Sequence, residues 1–235
     1  MKIVNNWINI IQDYLLPPTC ILCGHAGYDS RDICPLCYSH LHRNNNCCYR
    51  CAEAFETDLN VPTLCGRCQS RPPAFDQAFA PFLHQGAIRH LISSLKFNAD
   101  YKNARILGLL LADHLRQNDE KPDCLLPVPL HKARYRQRGF NQSIEIARHV
   151  ARELEIPLDL TSCRRHRDTP HQIGLPAKQR RKNLNKAFSL VKPITAQRIA
   201  ILDDVMTTGS TAHELAVLLK KAGVSQVDVW VCARA

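Results

Sequence analysis

The sequence predicts an α/β fold: a mainly parallel sheet flanked by helices, preceded by a small N-terminal cysteine-rich domain. Three observations carry this expectation. Strand-like and helix-like hydrophobic patterns alternate from residue 79 to residue 232. Eight of the 12 cysteines form four Cys-x-x-Cys pairs, all before residue 69. Residues 199–211, Ile-Ala-Ile-Leu-Asp-Asp-Val-Met-Thr-Thr-Gly-Ser-Thr, read as a buried strand that ends in two carboxylates and turns through hydroxyls into a helix. At 235 residues and 45% apolar composition the chain can bury a full core. The change of pattern near residue 75 places the expected boundary between domains 1–74 and 75–235.

Taken in order, residues 1–16 set Val4, Trp7, Ile8, Ile11 and Leu15 on one helical face. With one lysine, internal Asn and Asp and no small-residue cleavage site, this predicts a packing helix rather than a targeting peptide or membrane anchor. Nothing resembles a membrane span. Pro17 and Pro18 stop the helix, the cysteine region follows to Cys68, and Arg71-Pro-Pro-Ala-Phe75 reads as a linker or opening strand. The pattern then predicts a strand at 79–83, helices at 86–96 and 104–115, a strand at 123–129, a helix at 141–153 and a short strand at 156–160. A polar stretch, 164–186, has no hydrophobic period; a strand at 198–202, a helix at 212–222 and a strand at 227–232 close the chain. Ligands on parallel sheets bind beyond the strand carboxyl ends, which is where residues 203–211 fall.

The pairs Cys20/Cys23, Cys34/Cys37, Cys48/Cys51 and Cys65/Cys68 have the spacing of zinc-ribbon knuckles. Two pairs supply the four thiolates of a closed tetrahedral site, so the eight predict two structural Zn²⁺ ions, most simply one per consecutive couple of pairs. Swapped pairing is geometrically open. A disulfide framework is disfavoured without a secretory signal, and thioredoxin-like chemistry by four repeats of the motif in under fifty residues. Cys47 and His25 are candidate substitute ligands but expected bystanders, and Cys124, Cys163 and Cys232 are expected as small buried hydrophobes. The formal charge of +10 is uneven: residues 1–76 hold six Lys/Arg against seven Asp/Glu, the remainder 25 against 14. Eight thiolates and two Zn²⁺ lower the total to about +6. The C-terminal part is therefore the expected surface for any electrostatic contact with nucleic acid.

A tight turn at Gly209 leading into a helix presents unpaired N–H groups, and the helix dipole adds to their preference for phosphate. Asp203 and Asp204 repel a phosphate but suit sugar hydroxyls or Mg²⁺ beside it. A Walker-B acid pair would need a G-x-x-x-x-G-K-[ST] partner, which the chain lacks. The whole thirteen-residue pattern resembles the 5-phosphoribosyl-1-pyrophosphate (PRPP) motif of type I phosphoribosyltransferases. That resemblance places Asp203 and Asp204 on the ribose hydroxyls and Thr207, Thr208, Gly209, Ser210 and Thr211 around the 5-phosphate.

Something else must then hold the pyrophosphate. Lys132, Arg134, Arg136 and Arg138 alternate with neutral residues after the 123–129 strand, where fixed cations and Mg²⁺ would stabilise charge building on the leaving group. Arg138, followed by Gly139, is the first choice, and Lys132 is also assigned to PRPP; a solvated basic loop is the alternative. The stretch 164–186 is expected as a lid over PRPP or as a strip for single-stranded nucleic acid using Arg180 and Arg181, although it lacks interleaved aromatics.

The full order of Cys knuckles, Pro-Val-Pro-Leu-His131, Arg138-Gly-Phe-Asn-Gln142, Gln172, Arg180-Arg-Lys-Asn183, Ala187-Phe188, the PRPP motif and Ala233-Arg-Ala235 resembles the ComF (ComFC/GntX-like) family. The resemblance implies a double zinc ribbon fused to a type I phosphoribosyltransferase-like domain and a cytoplasmic bacterial setting. In many members it also implies handling of imported single-stranded DNA in natural transformation. Three functions follow: a phosphoribosyltransferase acting on Mg²⁺–PRPP with an unassigned acceptor, a non-catalytic PRPP-binding protein that handles single-stranded DNA, or a zinc-ribbon adaptor docking on a DNA-uptake helicase or channel. An intact site argues that PRPP or a related phosphorylated sugar is bound, and leaves open whether it is consumed.

Overall fold

The computed structural model describes residues 17–57, 59, 61–117, 120–167 and 187–235. The helix expected over 1–16 and the greater part of the polar stretch, with Gln172, Arg180 and Arg181, lie outside the described residues.

Two compact units make up the chain, Met1–His42 and Arg43–Ala235. In the first, short turns are closed by Gly27 N–H to Pro18 O, Ile21 N–H to Asp32 O and Tyr28 N–H to Ile33 O. Its helix α1, Pro35–Ser39, starts at Cys34, whose Sγ accepts from the Cys37 N–H.

The second unit opens with a five-residue helix, α2 (Gly66–Ser70), and two short strands, β1 (Gln77–Phe79) and β2 (Phe82–Leu83). Helices α3 (Gly86–Asn98) and α4 (Tyr101–Leu115) precede β3 (Cys124–Pro127). Helices α5 (Lys132–Arg138) and α6 (Gln142–Leu154) follow, then a small antiparallel pair, β4 (Cys163–Arg165) with β5 (Phe188–Leu190). The chain finishes as β6 (Arg198–Met206), α7 (Ser210–Lys221) and β7 (Gln226–Arg234). The main sheet has the order β1-β7-β6-β3, with β2 also on β7, and every pair in it is parallel. β6 and β7 are the apolar runs of the sequence because a central parallel strand is covered on both faces. Leu215, Ala216 and Leu219 of α7 join Ile199, Ile201, Val227, Val229 and Val231 in one buried cluster. On the α4–α6 seam, a Cβ at Gly108 would stand 2.6 Å from His149 Cβ, so only glycine permits that approach.

Five differences from the sequence expectation have local causes. The strand expected at 79–83 is two strands, parted by Ala80 and by Pro81, which has no N–H for a ladder. The strand expected at 156–160 is a single bridge, Leu158 to Leu125. The basic run after His131 is helical, since Lys, Ala, Arg, Tyr and Gln are acceptable helix formers and Gly139, at φ +81°, ends it. β6 continues four residues past the predicted end, so Asp203 and Asp204 sit within a strand. The antiparallel β4–β5 pair has no counterpart in the sequence pattern.

Compactness also divides the chain earlier than the boundary expected at residue 74. Cys48, Cys51, Ala52 and Cys68 are 1–3% exposed and belong to the same buried cluster as the strand residues of β6 and β7. The second couple of cysteine pairs is thus part of the α/β core.

Candidate functional site

β6 delivers both aspartates to the side of the sheet where α3 and α6 end or begin. Asp204 is 3% exposed. Its Oδ2 is ion-paired with Lys96 Nζ, from the last turn of α3, and its Oδ1 accepts from Gln142 Nε2 at 3.3 Å. Asp203 is less buried. Its Oδ1 accepts from Ser143 Oγ at 2.8 Å and from the Asp204 N–H at 2.9 Å. Gln142 and Ser143 arrive together because Asn141 caps α6: its Oδ1 takes the Ser143 N–H at 3.0 Å while its Nδ2 donates to Val128 O at 3.0 Å, anchoring the helix start to the chain after β3.

The two carboxyls cannot both ionise freely in this space. Burial, followed by the neighbouring Asp204 charge, pushes the Asp203 carboxyl up to about 7. Burial works against the Asp204 carboxylate too, but the Lys96 ammonium and the Gln142 amide outweigh it and hold Asp204 below the usual carboxylate range. Arg138 joins the same group. Its Nη1 donates to Gln142 Oε1, its guanidinium lies 5.9 Å from the Phe97 ring centroid, and burial lowers its pKa against the pull of Asp204.

The turn after β6 has the geometry its glycine implies. Gly209 has φ +73° and is the N-cap of α7, a twelve-residue helix. Thr208 Oγ1 and Ser210 Oγ are 2.8 Å apart, and the Ser210 N–H points to Thr208 Oγ1 at 3.4 Å. Thr207 is exposed, and Thr208, Gly209, Ser210 and Thr211 are half-buried. Beside the turn lies a cleft of about 240 Å³, lined by Arg67, Arg71, Phe75, Thr208, Ser210 and His213 among others.

The structure therefore brings Asp203, Asp204 and Arg138 into one hydrogen-bonded group, with residues 207–211 directly following in the chain. Lys132 is exposed at the first residue of α5. Sequence reasoning missed Lys96 and Ser143. Lys96 carried a signal: it follows Ile88 and Ile92 at helical spacing, where an apolar residue is expected on the buried face.

The cysteines form two groups, Cys20, Cys23, Cys34, Cys37 and Cys48, Cys51, Cys65, Cys68, with all ligand atoms of each within 4.8 Å of one another. Consecutive pairs combine, which settles the pairing the spacing left open. The Sγ atoms of Cys23 and Cys34, and of Cys51 and Cys65, are 3.6 Å apart. A tetrahedral ion with Zn–S near 2.3 Å separates its sulfurs by about 3.8 Å, so both clusters fit zinc. N–H groups also reach the sulfurs, from Cys37 to Cys34 at 3.4 Å and from Cys65 to Cys48 at 3.2 Å. Cys47 and His25 belong to neither cluster. Cys163 and Cys232 are buried as expected, and Cys124 is half-buried. No helix among the described residues is long and apolar enough to cross a membrane.

Comparison with known proteins agrees with this division of labour. Residues 11–69 match the double zinc ribbon domain family and residues 140–235 the phosphoribosyl transferase domain family. DNA utilization protein YhgH of Escherichia coli O157:H7 is 34% identical over 230 residues, 93% of this chain and 98% of that protein. Competence protein F of Haemophilus influenzae is 37% identical over 179 residues, 73% of this chain and 78% of that protein. Competence protein ComFC of Streptococcus pneumoniae is 25% identical over 92% of this chain and 99% of its own. Among solved structures, an allosteric regulatory enzyme of purine biosynthesis aligns at TM-score 0.38 and 19% identity over 55% of this chain and 26% of its own, a likeness that carries no argument by itself. A relative 34% identical over 93% of this chain, with both domain families in the order the motifs announced, makes this chain a member of the ComF family: a double zinc ribbon followed by a phosphoribosyltransferase domain.

Proposed function

We propose that this protein binds Mg²⁺–PRPP and uses that site in the handling of imported single-stranded DNA. The observation that carries the reading is the continuity of β6, the Gly209 turn and α7. One segment supplies a pair of adjacent carboxylates, then a hydroxyl-rich turn that leads into the N-terminus of α7. The 5-phosphate is assigned to Thr207, Thr208, Gly209, Ser210 and Thr211. The ribose hydroxyls and the magnesium ion are assigned to Asp203 and Asp204, with Lys96 supplying the counter-charge that holds the buried Asp204 ionised. Arg138, tied to Asp204 through Gln142, is the cation on the pyrophosphate side.

The DNA part rests on two supports: relatives named for DNA utilization and competence, and the strong Lys/Arg excess of residues 77–235. A second reading, transfer of the phosphoribosyl group to an acceptor, is favoured by Arg138, since a fixed cation beside the pyrophosphate stabilises a leaving group and is of less use to a purely regulatory site.

Calorimetric titration of zinc-loaded protein with Mg²⁺–PRPP, beside the Asp203→Asn/Asp204→Asn double variant, tests the site. Saturable heat in the wild type, lost in the variant, is the expected result; no heat in the wild type would refute PRPP binding. Release of pyrophosphate on adding bases or amines would establish transfer. Single-stranded DNA binding should weaken steeply with salt, and salt-insensitive binding would sink the nucleic-acid role.

A further inference from the structure

The second cysteine cluster does more than close a loop. Cys51 and Glu53 lie next to the phosphate turn, and two arginines join them to it. Arg67, in α2 between the ligands Cys65 and Cys68, spreads its guanidinium over three partners. Nη1 donates to Thr208 O at 3.4 Å, and Nη2 donates to Cys51 Sγ at 3.6 Å and to Glu53 Oε2 at 3.3 Å. Arg234, 4% exposed, donates from Nε to Cys51 O at 3.3 Å and from Nη1 to Met206 O at 3.1 Å, and its Nη2 is ion-paired with the same Glu53 carboxylate. The turn is thus held at both ends: Met206 O by Arg234 and Thr208 O by Arg67. Each arginine also bonds the metal-ligand residue Cys51. A third link runs from the linker, where the Ala74 N–H donates to His213 Nδ1 at 3.0 Å in the first turn of α7. The Phe75 ring lies 3.8 Å from where a Cβ on Gly209 would be.

We infer that the knuckle of Cys48, Cys51, Cys65 and Cys68 is a structural part of the phosphate site, with Arg67 and Arg234 as positioning residues that couple metal occupancy to the shape of the Met206–Thr208 turn. Arginine suits this task because its planar fork reaches several acceptors in fixed directions, which a lysine cannot do. Linkage makes the coupling reciprocal: if the metal at this knuckle strengthens phosphate-ligand binding by some factor, the ligand strengthens metal retention by the same factor. The first part of the inference, restraint of the turn, holds whether or not PRPP is the ligand. The second part rests on the proposed PRPP site.

Two measurements on full-length, zinc-loaded protein separate these. In the first, amide hydrogen exchange is compared between wild type and Arg67→Ala, with no ligand. Exchange at residues 208–210 should rise about tenfold in the variant while the amides of β7 keep their protection. Arg67→Lys should resemble Arg67→Ala. Unchanged exchange at the turn, or full rescue by lysine, would overturn the positioning role. If Arg67→Ala does not fold, Glu53→Gln, which weakens both arginine links at once, gives the same reading. In the second, zinc is competed away with a chelator in the presence and absence of Mg²⁺–PRPP. One of the two zinc ions should be held roughly tenfold more tightly with ligand, and Arg67→Ala should shrink that factor toward one. Equal retention of both ions in a protein shown to bind PRPP would overturn the coupling. A positive exchange result in a protein that binds no PRPP would retain the restraint and reject the ligand.

Discussion

The two cysteine knuckles share a ligand set and a Cys-x-x-Cys spacing but stand in different surroundings. In the first, Cys20 and Cys34 are buried while Cys23 is exposed, and the bonds that shape it run among residues 18–37 of its own small unit. In the second, Cys48, Cys51 and Cys68 are buried together with strand and helix residues of the α/β domain. The charged groups differ in the same way. Asp29, paired with Arg31 at 3.4 Å, is 66% exposed, whereas Glu53 is paired with an Arg234 side chain that is 4% exposed. The same ligand set therefore stands in two settings: the first in a unit of fewer than fifty residues, the second in the core of the α/β domain and, on the inference above, in the wall of the proposed ligand site. A family-level label of double zinc ribbon covers both and conceals the division at His42/Arg43.

The comparison can be broken most readily at the ligands. Cys68→Ser should lower the main calorimetric transition by roughly 10 °C, because loss of a structural zinc forfeits several kcal/mol from the shared core. Cys23→Ser should leave that transition in place, and equal losses would show the two knuckles to be equivalent. Next in size is the pair of acids. Glu53→Ala leaves a buried guanidinium short of its partner and should cost about 2 kcal/mol in denaturant unfolding, discounted from the cost for a fully buried pair because Glu53 is half exposed. Asp29→Ala should stay within about 0.5 kcal/mol.

Two glycines sharpen the contrast further. Gly24 and Gly209 both have positive φ, +78° and +73°, so alanine at either should cost about 1–2 kcal/mol. Only Gly209→Ala should also weaken Mg²⁺–PRPP binding, read by titration of both variants. The smallest effect expected is in pH. With the Asp203 carboxyl up near 7, the aspartate pair holds a proton below that pH and releases it above. Binding of a cation or of hydroxyl donors favours the released form, so affinity should rise between pH 6 and pH 8 by at most about tenfold per pH unit. Asp203→Asn should flatten the profile and Cys23→Ser should preserve it.

What the sequence made legible was contiguous. Strand, acids, turn and helix of the PRPP motif lie within two dozen residues, and each is announced by its own pattern, from the apolar run of β6 to the glycine at the N-cap of α7. The cysteine pairs were legible for the same reason. The partners that make the site work come from elsewhere: Lys96 from α3, Gln142 and Ser143 from α6, Arg67 from α2 and Arg234 from the end of β7. No local pattern fixes those meetings, which arise only when helices pack on the sheet. Lys96 was the exception that could have been found, as a charge on an apolar helix stripe. Helix α5 was hidden by its charges, since a helix with no buried residue shows no hydrophobic period.

The central claim is that one knuckle belongs to the ligand site and the other does not. Titrating Mg²⁺–PRPP into Cys23→Ser and Cys51→Ser, each below its melting temperature, tests it most directly. The account predicts that Cys23→Ser binds within about twofold of wild type while Cys51→Ser loses about tenfold or more. Equal affinities in the two variants would contradict it.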